Sequence, residues 1–268
     1  KMKRTFILFF LTLGSFSITA QDFQGKAYYK TKTTMDFGSW GDKMSSERKK
    51  MMKERMRPYL EPTFILTFDR EKSMYKEQER LDAPGSGGRS GWGKMMSGNA
   101  GPIFKNLKTK KFIQDSEFMG KKFLITDSVN KFNWVLEKEQ KMIGNYLCFK
   151  ATAEIPKKKT ISSEWRKLEK SDSTDIQNEY TKVNAWYSPQ IPIANGPAEF
   201  DGLPGLILEL NYEKTVILCT KVVMNPEKKI QINEPRKGEV VSKNEYDKIV
   251  EFKVKEMREM YRGPRSKR

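Results

Sequence analysis

The sequence predicts a mainly β protein of the α+β kind: a single strongly curved antiparallel sheet or half-barrel, with a short inserted helix and a C-terminal helix. Roughly ten runs of alternating or β-branched and aromatic residues follow one another along the chain. The links between them are short, so sequence neighbours are expected to pair antiparallel, because parallel pairing needs a long crossover. A helical period shows clearly only twice, over 42–56 and 242–261. A long series of short strands with two added helices closes on itself more readily than it lies flat.

In order, Phe23–Met35 is rich in Tyr and Thr and reads as the first strand. From Asp42 to Met56 the period changes, with Met44, Met51, Met52 and Met56 as an apolar stripe meant to pack on the sheet. Pro58 is expected to end that helix. Pro62–Asp69 and Ser73–Glu77 read as a hairpin. Residues 81–101 are Gly-rich and aperiodic, a flexible loop in which Gly91-Trp92-Gly93 carries one large aromatic. Strands are expected over Phe104–Asp115, Glu117–Thr126, Asn133–Lys138 and Tyr146–Glu154, with turns at Met119-Gly120, Ser128–Lys131 and Met142–Asn145. The segment 156–179 is a charged insertion, with room for a short helix over Ile161–Leu168. Val183–Tyr187, Leu206–Tyr212, Thr215–Met224 and Ile230–Asn233 are the remaining strands. The closing helix starts at Ser242, with Glu245 three residues on as in a capping box, and lays Tyr246, Ile249, Val250, Val254, Met257 and Tyr261 on one face.

Residues 1–20 read as a secretory signal peptide: Lys3-Arg4, an apolar core from Phe6 to Phe16, and small Ala20 before Gln21. Cleavage there leaves 21–268 as a single β-rich domain. No later stretch is apolar for the ~20 residues a membrane-spanning helix needs, so no transmembrane segment is expected in the mature chain.

A formal charge of +17 suits anionic surfaces. An exported chain does not meet nucleic acid, whereas the envelope offers anionic lipid and polysaccharide. Much of the excess sits in insertions and in the tail 262–268, where a solvated surface is the plain reading. The chain has no histidine and only two cysteines, which falls short of zinc and copper ligand sets and excludes the common serine and cysteine triads. It carries no phosphate loop, dinucleotide fingerprint or calcium loop, so neither a cofactor nor a metal is expected and no catalytic residue is assigned. Glu199, Asp201 and Glu209 are the carboxylates that a two-carboxylate hydrolase would use. Glu209, two past Ile207 on one strand, should share its face and oppose Leu208 and Leu210. Cys148 and Cys219 both fall inside expected strands. In an oxidising compartment they form a candidate disulfide closing a loop of about 70 residues, worth roughly 4 kcal/mol; the alternative is two buried thiols.

The stretch 185–210, AWYSPQIPIANGPAEFDGLPGLILEL, organises the rest. Pro189, Pro192 and Pro197 keep it extended, and the turn at Gly202-Leu203-Pro204-Gly205 launches Leu206-Ile207 and the next strand. Gly202 and Gly205 let backbones approach, while Leu203, Leu206 and Leu208 should bury. Trp186 and Tyr187 beside Pro189 form the candidate recognition surface. Gly202 to Ile207 spell the signature of the GLPGLI family of exported Bacteroidetes proteins of unknown function, which the chain resembles. The likeness extends to Phe118-Met119-Gly120-Lys121, Leu124–Asp127, Trp134-Val135-Leu136, Ile143–Ala151, Ala185–Pro192 and Gly196-Pro197. The long insertion before residue 180 departs from that pattern.

The expected function is that of an exported envelope protein, periplasmic or at the cell surface. It acts as a non-enzymatic binding or accessory module that holds an apolar ligand or a peptide segment of an outer-membrane partner. The rival readings are a carboxylate-dependent hydrolase of envelope glycan or peptide, and a structural subunit of an outer-membrane assembly.

Overall fold

The computed structural model describes residues 23–35, 42–78, 101–157 and 180–262. The expected leader, the loop up to residue 100 with Trp92, the insertion from 158 with its short helix, and the tail beyond 262 lie outside the described residues.

Twelve strands build one sheet: β1 (Gln24–Thr33), β2 (Thr63–Asp69), β3 (Lys72–Glu77), β4 (Ile103–Asn106), β5 (Lys111–Phe118), β6 (Lys121–Ser128), β7 (Val135–Ile143), β8 (Tyr146–Pro156), β9 (Tyr180–Ser188), β10 (Leu206–Tyr212), β11 (Thr215–Met224) and β12 (Glu239–Val241). Helix α1 (Ser46–Leu60) is inserted between β1 and β2, and α2 (Lys243–Arg262) closes the described chain. The strand order is β12-β6-β5-β4-β3-β2-β1-β11-β10-β9-β8-β7. All pairs are antiparallel except β12, which lies parallel to β6.

That order forces curvature. Between β6 and β7 lie ten strand spacings, about 48 Å if the sheet were flat, yet the chain joins them through Val129–Trp134 alone, which reaches at most about 25 Å fully extended. The sheet therefore curls until its margins approach, and it stays open. The expectation that consecutive strands pair fails at this step: β6 and β7 stand at the two ends of the antiparallel run.

Alternation along the strands assigns the faces. Tyr29, Leu66, Tyr75, Ile103, Ala151, Val183, Ala185, Leu210 and Ile217 point to the concave side and are buried there in one cluster. On the same side, at the β5–β6 end, α2 covers Phe118, Phe123 and Ile125 with Tyr246, Ile249, Val250, Val254 and Met257. Its start is the expected box: Glu245 N donates to Ser242 Oγ (3.2 Å) and Ser242 N to Glu245 Oε2 (2.8 Å). On the convex side Phe104, Ile113 and Leu124 are buried with Met74 and Ile232, the last from the segment linking β11 to β12.

Several local expectations are corrected. The run Phe104–Asp115 is two strands, because Asn106 Oδ1 accepts from Lys108 N (3.1 Å) and Thr109 N (3.0 Å) and closes a side-chain turn, with Lys110 at φ 53°. Pro58 does not stop α1. The helix runs through it to Leu60, at the loss of the one bond its missing N–H would have made to the carbonyl of Glu54, and Glu61 caps the end by donating its N to Arg57 O (2.9 Å). The methionine stripe packs only loosely: no residue of α1 is buried, and Met51 is 74% exposed. Ile230–Asn233 is not a strand but part of the irregular strap over the convex face. Cys148 and Cys219 are buried free thiols. They sit on β8 and β11, with β9 and β10 between them in the sheet, and do not form the candidate disulfide.

Candidate functional site

The segment from Ser188 to Leu206 leaves β9, folds into the mouth of the curl and returns as β10. Backbone bonds tie its two limbs together: Leu206 N donates to Ile191 O (3.0 Å), Ile207 N to Asn195 O (3.0 Å) and Gly202 N to Ala194 O (3.2 Å). Its apolar side chains, Ile191, Ile193, Phe200 and Leu203, are each at most 4% exposed and fill the interior. Phe132 from the β6–β7 link stacks on Phe200 at 5.1 Å, and Trp134 Nε1 donates to the Asp201 carbonyl (2.9 Å). Tyr29 Oη anchors the base of the bend by donating to Ile207 O (2.7 Å).

Gly205 is where two backbones meet. Its φ is +151°, and an added Cβ would land on the Ser188 carbonyl. Gly202 also has positive φ, +88°, but faces only the Trp134 ring at 3.9 Å. Gly205→Ala is expected to lower unfolding free energy by about 2–3 kcal/mol and Gly202→Ala by about 1 kcal/mol. Urea denaturation of the two variants checks the contrast, and equal losses would contradict the close approach at Gly205.

At the centre of the bend lies a charged group the sequence did not announce. Lys105 on β4 is 0% exposed. Its Nζ donates to Phe200 O (3.0 Å) and Gly196 O (3.3 Å) and stands 3.5 Å from Asp201 Oδ2. Burial holds the Lys105 ammonium below its ordinary value, against Asp201, which raises it. Burial likewise raises the Asp201 carboxyl, against Lys105, which lowers it. Around the pair, burial raises the phenols of Tyr29, Tyr75 and Tyr212. Glu199 adds a smaller charge effect in the same direction at Tyr75 and Tyr212.

Lys105 Nζ gives two hydrogen bonds to backbone carbonyls of the bend and an ion pair to Asp201, whose Oδ2 accepts no hydrogen bond. Such a lysine holds a loop in place. Of the carboxylates proposed for hydrolysis, the half-buried Glu199 and the buried Asp201 lie close enough that the charge of Glu199 also raises the Asp201 carboxyl and acts on Lys105, while Glu209 stands apart from them. Asp201 faces Lys105 inside the curl. Glu209 is on the outer side, bound to Lys141 (2.6 Å), because a bulge between Ile207 and Glu209 in the pairing with β9 reverses the alternation, so Glu209 does not share the face of Ile207 as expected.

Of the signature residues, Leu203, Leu206 and Ile207 are buried, and Leu208 just after them is buried too, whereas Gly202 and Pro204 reach the surface. The candidate recognition surface divides: Tyr187 is 6% exposed and belongs to the core, Trp186 is half-buried on the outer side with Lys141 Nζ 4.2 Å above its ring, and Pro189 is exposed. Lys105 and Tyr29 do not stand out in the sequence as site residues. The available signal was Lys105 two residues after Ile103 in an alternating strand, hence on the apolar face. Among the described residues no group of three metal-ligating side chains gathers, and no helix is long and apolar enough to cross a membrane.

Residues 134–209 match a family model. Its description is "Protein of unknown function (Porph_ging)", and the matched span runs from Trp134 through β7, β8, β9 and the bend to Glu209. No curated protein matches the chain. Two solved structures, of PNGF-II in the C2 and P21 space groups, are 13% and 12% identical with TM-scores of 0.49 and 0.48, covering 87% of this chain in both cases and 33% and 34% of theirs. The chain thus spans about a third of the length of those proteins, and so distant a likeness does not bear on what it does.

Proposed function

We propose that the chain is an exported accessory protein of the cell envelope, of the GLPGLI kind, that works by binding at its outer surface and not by catalysis. The observation that carries this reading is the filled interior. The bend occupies the curl with its own Ile191, Ile193, Phe200 and Leu203, and Lys105 and Asp201 are spent on holding it. This favours a peptide segment of an outer-membrane partner, or an anionic envelope surface, over an apolar ligand enclosed by the sheet. The leader pattern at 1–20 and the signature at 202–207 support the address.

Fractionation of cells expressing the full chain tests it. The expected result is a processed chain beginning at Gln21 in the periplasmic or outer-membrane fraction, co-purifying with an envelope component and, by native mass spectrometry, carrying no enclosed lipid. An unprocessed cytoplasmic chain would overturn the reading.

A further inference from the structure

The strap between β11 and β12 crosses the convex face and leaves a cleft of about 410 Å³ beneath it. One wall is a row across three strands, Lys26 on β1 opposite Thr67 on β2 opposite Met74 on β3. The other is the strap itself from Lys228 to Asn233. The cleft is built, not a gap beside a loose chain. Gln24 grips the strap at two points, its N donating to Asn225 Oδ1 (3.2 Å) and its Oε1 accepting from Ile230 N (2.9 Å). Ile232 is seated against Phe104, Ile113 and Leu124, and Glu234 is ion-paired with Lys111.

The lining has one chemical character. Lys26, Lys228 and Lys229 bring ammonium groups, Thr67, Gln231 and Asn233 bring neutral donors, Met74, Ile230 and Ile232 form an apolar floor, and the lining holds no carboxylate. The positive field continues outside, because alternation along β1 puts Lys30 and Lys32 on the same face as Lys26, and Lys221 lies opposite Tyr28 on that face. Like charges gathered on one face repel one another, and an anion placed among them relieves that repulsion. Donors around an apolar floor, in a space within the usual range for small ligands, suit a sugar ring carrying an anionic substituent.

We propose that this cleft binds an anionic sugar, phosphorylated or carboxylated. The chemistry follows from the cleft alone; that the sugar belongs to an envelope glycolipid or polysaccharide rests on the function proposed above.

The test is calorimetric titration of the mature chain with three disaccharides: a bis-phosphorylated glucosamine disaccharide, di-galacturonate and neutral chitobiose. At least one charged sugar is expected to bind and to weaken as salt is raised, while chitobiose does not bind. Binding of both charged sugars assigns charge alone as the determinant, and binding of one assigns its source as a phosphorylated headgroup or a uronic polymer. Lys26→Gln combined with Lys228→Gln should weaken binding about tenfold or more, with thermal unfolding unchanged or slightly raised, whereas Lys255→Gln on α2 should change it less than about twofold. Chitobiose binding equally well, binding of none of the three, or equal losses at Lys255 and in the double variant would each overturn the proposal. The outcome is independent of address: an exported chain that binds no anionic sugar refutes the cleft alone, and a cytoplasmic chain that does bind one refutes only the proposed function.

Discussion

Lys105→Met is expected to lower the unfolding free energy by about 3–5 kcal/mol, measured by urea denaturation. The methionine fills most of the volume, so the loss is electrostatic. It leaves the Asp201 carboxyl facing an apolar interior with no cation, and the Gly196 and Phe200 carbonyls without their donor. Asp201→Asn should cost less, about 1–3 kcal/mol, since Lys105 keeps both carbonyls and burial already draws the ammonium toward its neutral form. Combining the two should recover about 1–3 kcal/mol relative to the sum, because the double variant buries no lone charge. A Lys105→Met loss below about 1 kcal/mol, or strict additivity, would mean that the pair does not hold the bend.

The native fold is also expected to lose stability steeply above pH 9. Burial pushes the Cys148 thiol up to about 11 and the Cys219 thiol up to about 12, from an ordinary value of 9.0. Burial raises the phenols of Tyr29, Tyr75 and Tyr212 above 10.0. These groups keep their protons in the folded chain over a range in which the unfolded chain has lost them. The unfolded state then binds fewer protons, so unfolding free energy falls as pH rises, by about 1.4 kcal/mol per pH unit for each group past its unfolded value. Lys105 runs the other way. Its lowered value means that the native state sheds a proton first, which adds stability as pH approaches 10.5. One such group does not offset two thiols from pH 9 and three phenols from pH 10. The expected fall is several kcal/mol between pH 9 and 11, with Cys219→Ala shallower by one group's share. A flat profile over that window would contradict the burial of these side chains.

Much of the sheet is legible in the sequence because alternation is a local property. Strands such as Thr63–Asp69 and Thr215–Met224 show the period in their own residues, and Ser242 with Glu245 marks the start of α2. Where a polar side chain intervenes, the local signal fails: Asn106 folds back on Lys108 and Thr109 and splits one expected strand into β4 and β5. The candidate site was half visible. Gly205 could be read as a turn residue from its place in Leu-Pro-Gly-Leu, and the burial of Leu203 and Leu206 follows from their apolar character. The partner of the bend could not be read, because Lys105 and Asp201 are far apart in the chain and meet only when β4 is placed beneath the return limb. The same holds for Glu209, which a bulge against β9 turns to the outer face.

By itself the sequence determined a β-rich chain with two helices, no histidine, a proline-punctuated bend near residue 200 and a strong positive charge. Those follow from composition and from periods a few residues long. Only the tertiary structure decided that β6 and β7 stand at opposite ends of the antiparallel run, that Cys148 and Cys219 stay free thiols, that the curl is filled by its own bend, and that lysines from β1 and the strap share one cleft. Each of these is set by strand order, and strand order is fixed by which long-range surfaces bury together, a quantity that no local window of residues contains.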